Sequence, residues 1–524
     1  MKTERLARAG SYSLFGSGVG ALGALALTVI VGNGLGAYGT GIFFQALGAF
    51  TIASQMLRLG TNSTIVKVIS EQRAFGRAGE AWRSVLIGAI PVVALATAAA
   101  VFMNVYADEL AGWLGSPGEK GNLAELFRDM APFTVMGALL AVLGTATRML
   151  RGVEAFTVVQ NILSPLSRVV IVAAAIFLGW DALGAFRGWL VTIPLWLLVT
   201  VVVLARPVAL DWKRRREARH PTWEATRSFW AFSSLRAVGA AFEAALEWSD
   251  VLIVAALRSP AEAGVYAVAT RVVRVGQLVD QAMRTAASPT ISRLLARSEL
   301  VAARTLHTSV TRAMILSNWP YYLILATMGP ALLSVFGEEF REGAIVLAIL
   351  AGAMMVSAAA GMLQSILLQG GKSSWQMYNK GLALSISIGL NLLLVPVLGI
   401  VGAAITWATG VLVETAIAAW QVHKRMGVHL EPQKLLLAMA VPLVVFGIGG
   451  LTARLTFVST LPTLLVALVV LGSVYLVILW LLRERLGIVS LWREVPVVGR
   501  RAVRPVRSAT PLSATAENVG ERSA

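Results

Sequence analysis

Residues 264–299 read "GVYAVATRVVRVGQLVDQAMRTAASPTISRLLARSE", and residues 36–71, "GAYGTGIFFQALGAFTIASQMLRLGTNSTIVKVISE", line up with them without a gap. Gly264 and Tyr266 match Gly36 and Tyr38, and Ser298-Glu299 match Ser70-Glu71. A shorter match follows in the same order, "LRGVEAFTVVQN" (150–161) with "LQGGKSSWQMYN" (368–379). The offset falls from 228 (264 less 36) to 218 (368 less 150), because an outer connection is longer in the first half. Two ordered matches at corresponding places signal a duplication. Six apolar segments separate the matched points, an even number, so the halves run in the same direction about an axis along the membrane normal. Parallel repeats of this kind place a site between two bundles.

The apolar segments are membrane spans. Of the 524 residues 57% are hydrophobic and 14% charged, with mean hydropathy +0.73, whereas soluble chains carry about 25% charged residues. The formal charge of +17 reports cytoplasmic loops, so no nucleic-acid partner is expected. Without cysteine there are no disulfides or thiolate ligands, and the four histidines (220, 307, 423, 429) fall in stretches read as cytoplasmic loops. No metal site and no cofactor is expected. The N-terminal apolar run is near full span length, lacks a following cleavage signal and is read as an uncleaved helix.

Segments of about 20 residues, enough to cross the hydrocarbon as helix, lie near 11–31, 38–57, 84–106, 130–150, 158–178, 183–204, 229–257, 263–283, 311–336, 343–368, 379–398, 400–422, 435–456 and 462–482. The fold class is thus an all-α polytopic membrane protein of about 14 transmembrane helices, two six-helix bundles plus two C-terminal helices. The expected divisions are a first bundle at 1–210, a cytoplasmic linker at 211–228, a second bundle at 229–428, two additional helices at 429–485 and a basic, disordered cytoplasmic tail at 486–524. With the N-terminus inside, six of the 45 basic residues fall outside (Lys120, Arg128, Arg187, Arg258, Arg341, Arg454) and four within spans (Arg168, Arg236, Arg271, Arg274). The remaining 35 are cytoplasmic, so both termini are placed there. The basic tail is suited to lie against anionic membrane lipids.

"EWSDVLIVAAL" leading into "AGVYAVATRV", the matching "GAYGTGIFFQAL", the "LLQGGKSSWQMYNKGL" turn and "VLGIVGAAIT" together resemble the multidrug, oligosaccharidyl-lipid and polysaccharide exporter superfamily. Within it the chain is most similar to bacterial polysaccharide-repeat-unit flippases, over nearly its whole length to about 485. The resemblance implies a central cavity and residence in the bacterial cytoplasmic (inner) membrane. It implies flipping of a polyprenyl-pyrophosphate-linked oligosaccharide to the outer leaflet, driven by an ion gradient, and partners among polymerases and glycosyltransferases of the same pathway. No Walker lysine motif is present, and "GSGVGALG" near residue 16 lies inside a span, where glycines serve close packing.

Charges inside spans are costly and mark function or pairing. Glu243, Glu247 and Asp250 share one stripe of span seven with Arg236, and Arg271 and Arg274 share a face of span eight with Gln277. Counted from a turn near residue 260, Asp250 and Arg271, Glu247 and Arg274, and Glu243 and Gln277 stand at matching depths, which predicts a ladder of opposite charges. Such a ladder could simply pin the hairpin. Alternatively the arginines exchange carboxylates for pyrophosphate, which planar guanidinium groups bind well, and the released acids couple the cycle to an ion. Arg168, Arg236, Arg271, Arg274 and Gln277 are the expected substrate-binding residues, and Glu243, Glu247 and Asp250 the ion-coupling ones. Arg168 has no acid nearby in its own helix and is expected to face the cavity, Glu414 or Glu243. Phe43 and Ala46 stand where Arg271 and Arg274 do, so recognition should be asymmetric. Alternatives are a lipid II flippase and a cation-coupled multidrug antiporter. An enzyme would need a large outer loop bearing catalytic acids, and the longest, 107–129, is short and amphipathic.

Overall fold

The computed structural model describes residues 2–114, 120–210, 223–458 and 460–487. The described residues are all helix and turn. The first half holds α1 (Lys2–Leu57), α2 (Thr61–Ala74), α3 (Ala81–Val105), α4 (Ala107–Leu114), α5 (Lys120–Leu150), α6 (Val153–Phe156), α7 (Ser164–Phe177) and α8 (Ala182–Leu210). The second holds α9 (Trp223–Leu257), α10 (Pro260–Ala296), α11 (Leu300–Leu333), α12 (Ala344–Ala360), α13 (Leu363–Gln369) and α14 (Ser373–Trp420). After these come α15 (Gln433–Pro442), α16 (Gly449–Thr456) and α17 (Leu461–Leu481). Parts of the linker (211–222) and of the tail (from 488) lie outside the described residues, and α9 begins inside the stretch read as linker.

Ten stretches among the described residues are long and apolar enough to cross a membrane. Two of them, of 60 and 53 residues, are each interrupted near the middle of their apolar length by a glycine with a left-handed backbone, Gly36 (φ 66°) and Gly399 (φ 56°). The chain folds back at both. Thr40 Oγ1 donates to Val31 O, nine residues earlier, at 3.3 Å, where a continuous helix would separate them by about 13 Å. A Cβ on Gly402 would stand 2.5 Å from Leu394 O. A single glycine thus makes the turn where the sequence suggests a loop over 32–37, and Gly399 falls at the one-residue break expected between 398 and 400. α9 and α10, of 35 and 37 residues, carry too many charges for a hydropathy test yet run the same length. Ten stretches, two of them doubled, plus this pair give the fourteen crossings.

The α9–α10 turn has the chemistry of a helix start. Ser259 accepts the Glu262 N–H on its hydroxyl, Pro260 occupies the first helical position, and Glu262 adds negative charge to the first turn. The second repeat match is also visible in the backbone, since each matched stretch turns on a positive-φ glycine, Gly152 (φ 105°) and Gly371 (φ 75°). They stand one place out of register.

The two longer matched stretches meet at the centre of the molecule, where α1 packs most extensively against α10. Phe43, Phe44 and Ala46 share one buried core with Trp248, Val251, Tyr266 and Val273. At the end bearing the hairpin turns the halves touch backbone to backbone: a Cβ on Gly41 would lie 1.7 Å from Pro260 O, and one on Gly264 2.1 Å from Ala37 O. Asn33 donates to Val335 O at 2.7 Å, and the Glu339 carboxylate accepts Ala37 N–H at 2.8 Å. At the opposite end Ser233 Oγ donates to Leu59 O at 2.7 Å. The C-terminal helices pack on α11, where Phe446 and Tyr475 meet Trp319 and Leu323 and Tyr475 donates its hydroxyl to Leu316 O.

Candidate functional site

The α9–α10 hairpin forms the expected ladder in one rung of three. Arg274 Nη1 donates to Glu247 Oε1 at 2.6 Å, and Nη2 reaches the Glu247 carbonyl. Arg271 is not paired with Asp250. It stands 3.9 Å from the Glu247 carboxylate and lies over the Trp248 ring, 3.9 Å from its centroid, with Phe44 on its other flank at 5.5 Å. Asp250, 4% exposed, turns instead to α14. It accepts from Asn391 at 2.7 Å and Ser387 at 3.5 Å on one oxygen and from Tyr266 at 3.3 Å on the other. Equal depth is not equal direction: three residues advance a helix by about 300°, so Asp250 stands about 60° round from Glu247. Glu243 likewise meets Lys380 of α14 rather than Gln277, and Gln277 donates to Met354 Sδ at 3.6 Å.

Trp248 therefore covers one face of the Arg271 guanidinium, whose side chain is 19% exposed against 21% for Arg274. Its replacement, Trp248→Leu, should cost about 2–4 kcal/mol through the lost desolvated cation–π contact and the void left behind. A thermal melt of the purified protein reads this as a clear fall in midpoint.

Beside the Arg274–Glu247 pair opens a cavity of about 740 Å³. Its charged walls are Glu243, Glu247, Arg274, Arg284, Lys380 and Glu414. A second cavity of about 250 Å³ shares Gln277, Gln281, Arg284, Gln364 and Glu414 with it and adds Asp280. All these walls come from residues 243–415, whereas two rocking bundles suggest a site walled by both halves. The asymmetry follows from the repeat, since Phe43 and Ala46, the counterparts of Arg271 and Arg274, are fully buried in the core. Along α10 the cavity runs from Arg274, about 22 Å from the Ser259 turn, to Ser288, about 44 Å from it. That exceeds the roughly 30 Å of hydrocarbon, so it opens at the end away from the hairpin turns.

Within this cavity each cation but one has an acid. Lys380 holds Glu243, Arg274 holds Glu247, and Glu414 accepts from Gln364 at 2.8 Å. Arg284 makes no ion pair among the described residues, and its buried Nε has no hydrogen-bond partner. Arg274, Gln277, Glu243 and Glu247 of the expected residues line the cavity; Asp250 and Arg271 do not. Arg168 is elsewhere, over the Trp189 ring at 4.8 Å, while Glu414 and Glu243 are engaged by Gln364 and Lys380. Arg236 is exposed, its Cβ against Gly60 of the first half. Arg284 and Lys380 escaped the sequence reading. Positions 274, 277, 281, 284 and 288 follow the 3–4 spacing of one helix face, so extending the Arg274–Gln277 stripe would have reached Arg284. His307, expected in a loop, is buried in α11 against Ala360 O.

The sequence profile of the polysaccharide biosynthesis protein family matches residues 6–295. A probable low-salt glycan biosynthesis flippase, Agl15, of Haloferax volcanii is 27% identical over 245 residues, 45% of this chain and 50% of that protein. The chain thus spans about half the length of this curated relative. Among solved structures, a lipid II flippase, MurJ, in an inward closed conformation superposes with a TM-score of 0.69 at 12% identity, covering 91% of this chain and 99% of that one. An inward-facing multidrug resistance MATE family transporter of the MOP superfamily gives 0.62 at 15% identity, covering 78% and 95%. At these identities the likeness is one of fold.

Proposed function

Since the chain belongs to the polysaccharide biosynthesis protein family, we propose that it is a flippase that carries a polyprenyl-pyrophosphate-linked oligosaccharide from the cytoplasmic to the outer leaflet of a bacterial inner membrane. Alternating access driven by an ion gradient moves it, with both chain termini on the cytoplasmic side. The observation that carries this reading is the cavity of α9, α10 and α14, open at one end, where Arg274, Arg284 and Lys380 converge. A pyrophosphate enters from the cytoplasmic side, meets Arg284 first because it is held in no ion pair among the described residues, and then takes Arg274 and Lys380 from Glu247 and Glu243. Guanidinium forks suit this exchange because they bind phosphate oxygens in pairs. The prenyl chain stays in lipid, and only the charged head and sugars need the cavity.

Glu247 is 42% exposed and Arg274 21%, so their pair is partly solvated and worth little as a stabilising bond. That makes it exchangeable. The test is reconstitution into vesicles with a labelled polyprenyl-pyrophosphate oligosaccharide, lipid II or a cationic dye in separate arms, scoring appearance on the far leaflet with and without an imposed ion gradient. Gradient-dependent movement of the oligosaccharide lipid is the expected result. Movement of the dye alone, or of none of the three, would refute the reading.

A further inference from the structure

The Asp280 carboxylate lies between α10 and α11 at the floor of the smaller cavity, 3% exposed. One oxygen accepts from Asn318 Nδ2, and the other is buried with no partner. Asn318 Oδ1 and the Tyr322 hydroxyl, from the facing side of α11, are also buried without partners. Tyr322 sits where Gly276, one turn before Asp280, leaves room: a Cβ there would come within 2.6 Å of its hydroxyl. Arg284, one turn after Asp280, is its charge neighbour yet forms no ion pair with it. The other charged or titratable group of this cavity is Glu414 from α14; α12 and α13 contribute only uncharged walls, among them Met354, Ser357, Leu363 and Gln364.

Every other acid here is better supported as an anion. Glu243 and Glu247 have cations, Asp250 has three donors, and Glu414, with one donor in Gln364, is only half-buried and leaves no oxygen buried without a partner. A buried carboxylate with one donor is expensive as a charge and takes a proton instead. Resting on the flippase reading, we propose that Asp280 is a proton-binding site linked to anion binding at Arg284. With Arg284 free to turn back, it neutralises an ionised Asp280; with an anion on Arg284, Asp280 loses that partner and holds a proton. The linkage sign follows: the anion-bound state carries the proton, so both move together. This proton does not supply the driving force for export. It lowers by one the charge brought into the low-dielectric interior.

The test uses the full-length protein and inorganic pyrophosphate. Calorimetry in buffers of different ionisation enthalpy should show protons taken up on binding by the wild type and a loss of that uptake in Asp280→Asn, which keeps the acceptor for Asn318. Infrared difference spectra across a pH titration should show a protonated-carboxyl band that Asp280→Asn removes and Glu414→Gln leaves. Equal proton uptake by wild type and Asp280→Asn, or an infrared titration unchanged in Asp280→Asn, overturns the proposal. Absence of pyrophosphate binding with the Asp280 band present would instead sink the anion-binding reading and leave the proton site standing.

Discussion

Arg284→Gln should reduce delivery of lipid-linked oligosaccharide to the far leaflet by about 10–150-fold, because a lost charge-assisted hydrogen bond to an anion is worth about 1.5–3 kcal/mol. Arg284 is in no ion pair among the described residues, so the substitution breaks none, and with Asp280 beside it holding a proton the protein should melt close to its wild-type temperature. Arg274→Gln is the contrast. It also removes a phosphate contact but leaves Glu247 without its cation, so it should lose both transport and some stability. Adding Glu247→Gln restores the balance of the pair. If the pair were only structural, the Arg274→Gln/Glu247→Gln double variant would transport like wild type; as a substrate site it stays inactive while its stability recovers. Wild-type delivery by Arg284→Gln would remove the cavity from the account.

The second large effect is expected from Gly41→Leu, at the closed end. A Cβ at that position would stand 1.7 Å from the Pro260 carbonyl oxygen, a backbone atom that no rotamer change can move aside. Overpacking of this kind costs about 1–3 kcal/mol, enough to shift a two-state equilibrium by about 5–150-fold. The halves should part at the hairpin turns, breaking the Glu339 bond to Ala37 N–H and the Asn33 bond to Val335 O. The chain has no cysteine, so a single Ala37→Cys reports the opening cleanly. Labelling by a membrane-impermeant thiol reagent should be slow in the otherwise unaltered protein and fast with Gly41→Leu, and transport should fall with it. Unchanged labelling together with normal transport would show that the closed end is not a gate.

Much of this architecture is legible in the residues, because lipid makes hydrophobic length and basic loops decisive signals. The duplication was visible from Gly36, Tyr38, Gly264 and Tyr266, and these stretches do form the central contact. Depth along the α9–α10 hairpin was legible too, and it found the Arg274–Glu247 rung. Direction was not. Asp250 answers to Ser387 and Asn391, about 140 residues away, and no local pattern announces a partner brought in by tertiary folding. Lys380 and Arg284 were hidden for another reason: near a span end a basic residue reads as a cytoplasmic loop charge, and only the packing of α10 and α14 shows that theirs face a cavity. Arg168 misled in the opposite way, since the Trp189 face offers a guanidinium a resting place that a search for acids overlooks.

Docking of a lipid's charged head in the second half's cavity is read out by photocrosslinking. A photoreactive residue at Leu246 or Leu368, both in the cavity wall, is compared with one at Val469, exposed on α17, using a radiolabelled polyprenyl-pyrophosphate oligosaccharide. Adducts should form at the two cavity positions, be competed by unlabelled polyprenyl pyrophosphate but not by the phosphate-free polyprenol, and vanish in Arg284→Gln. Equal labelling at Val469, or cavity labelling indifferent to the phosphates and to Arg284, would contradict docking there.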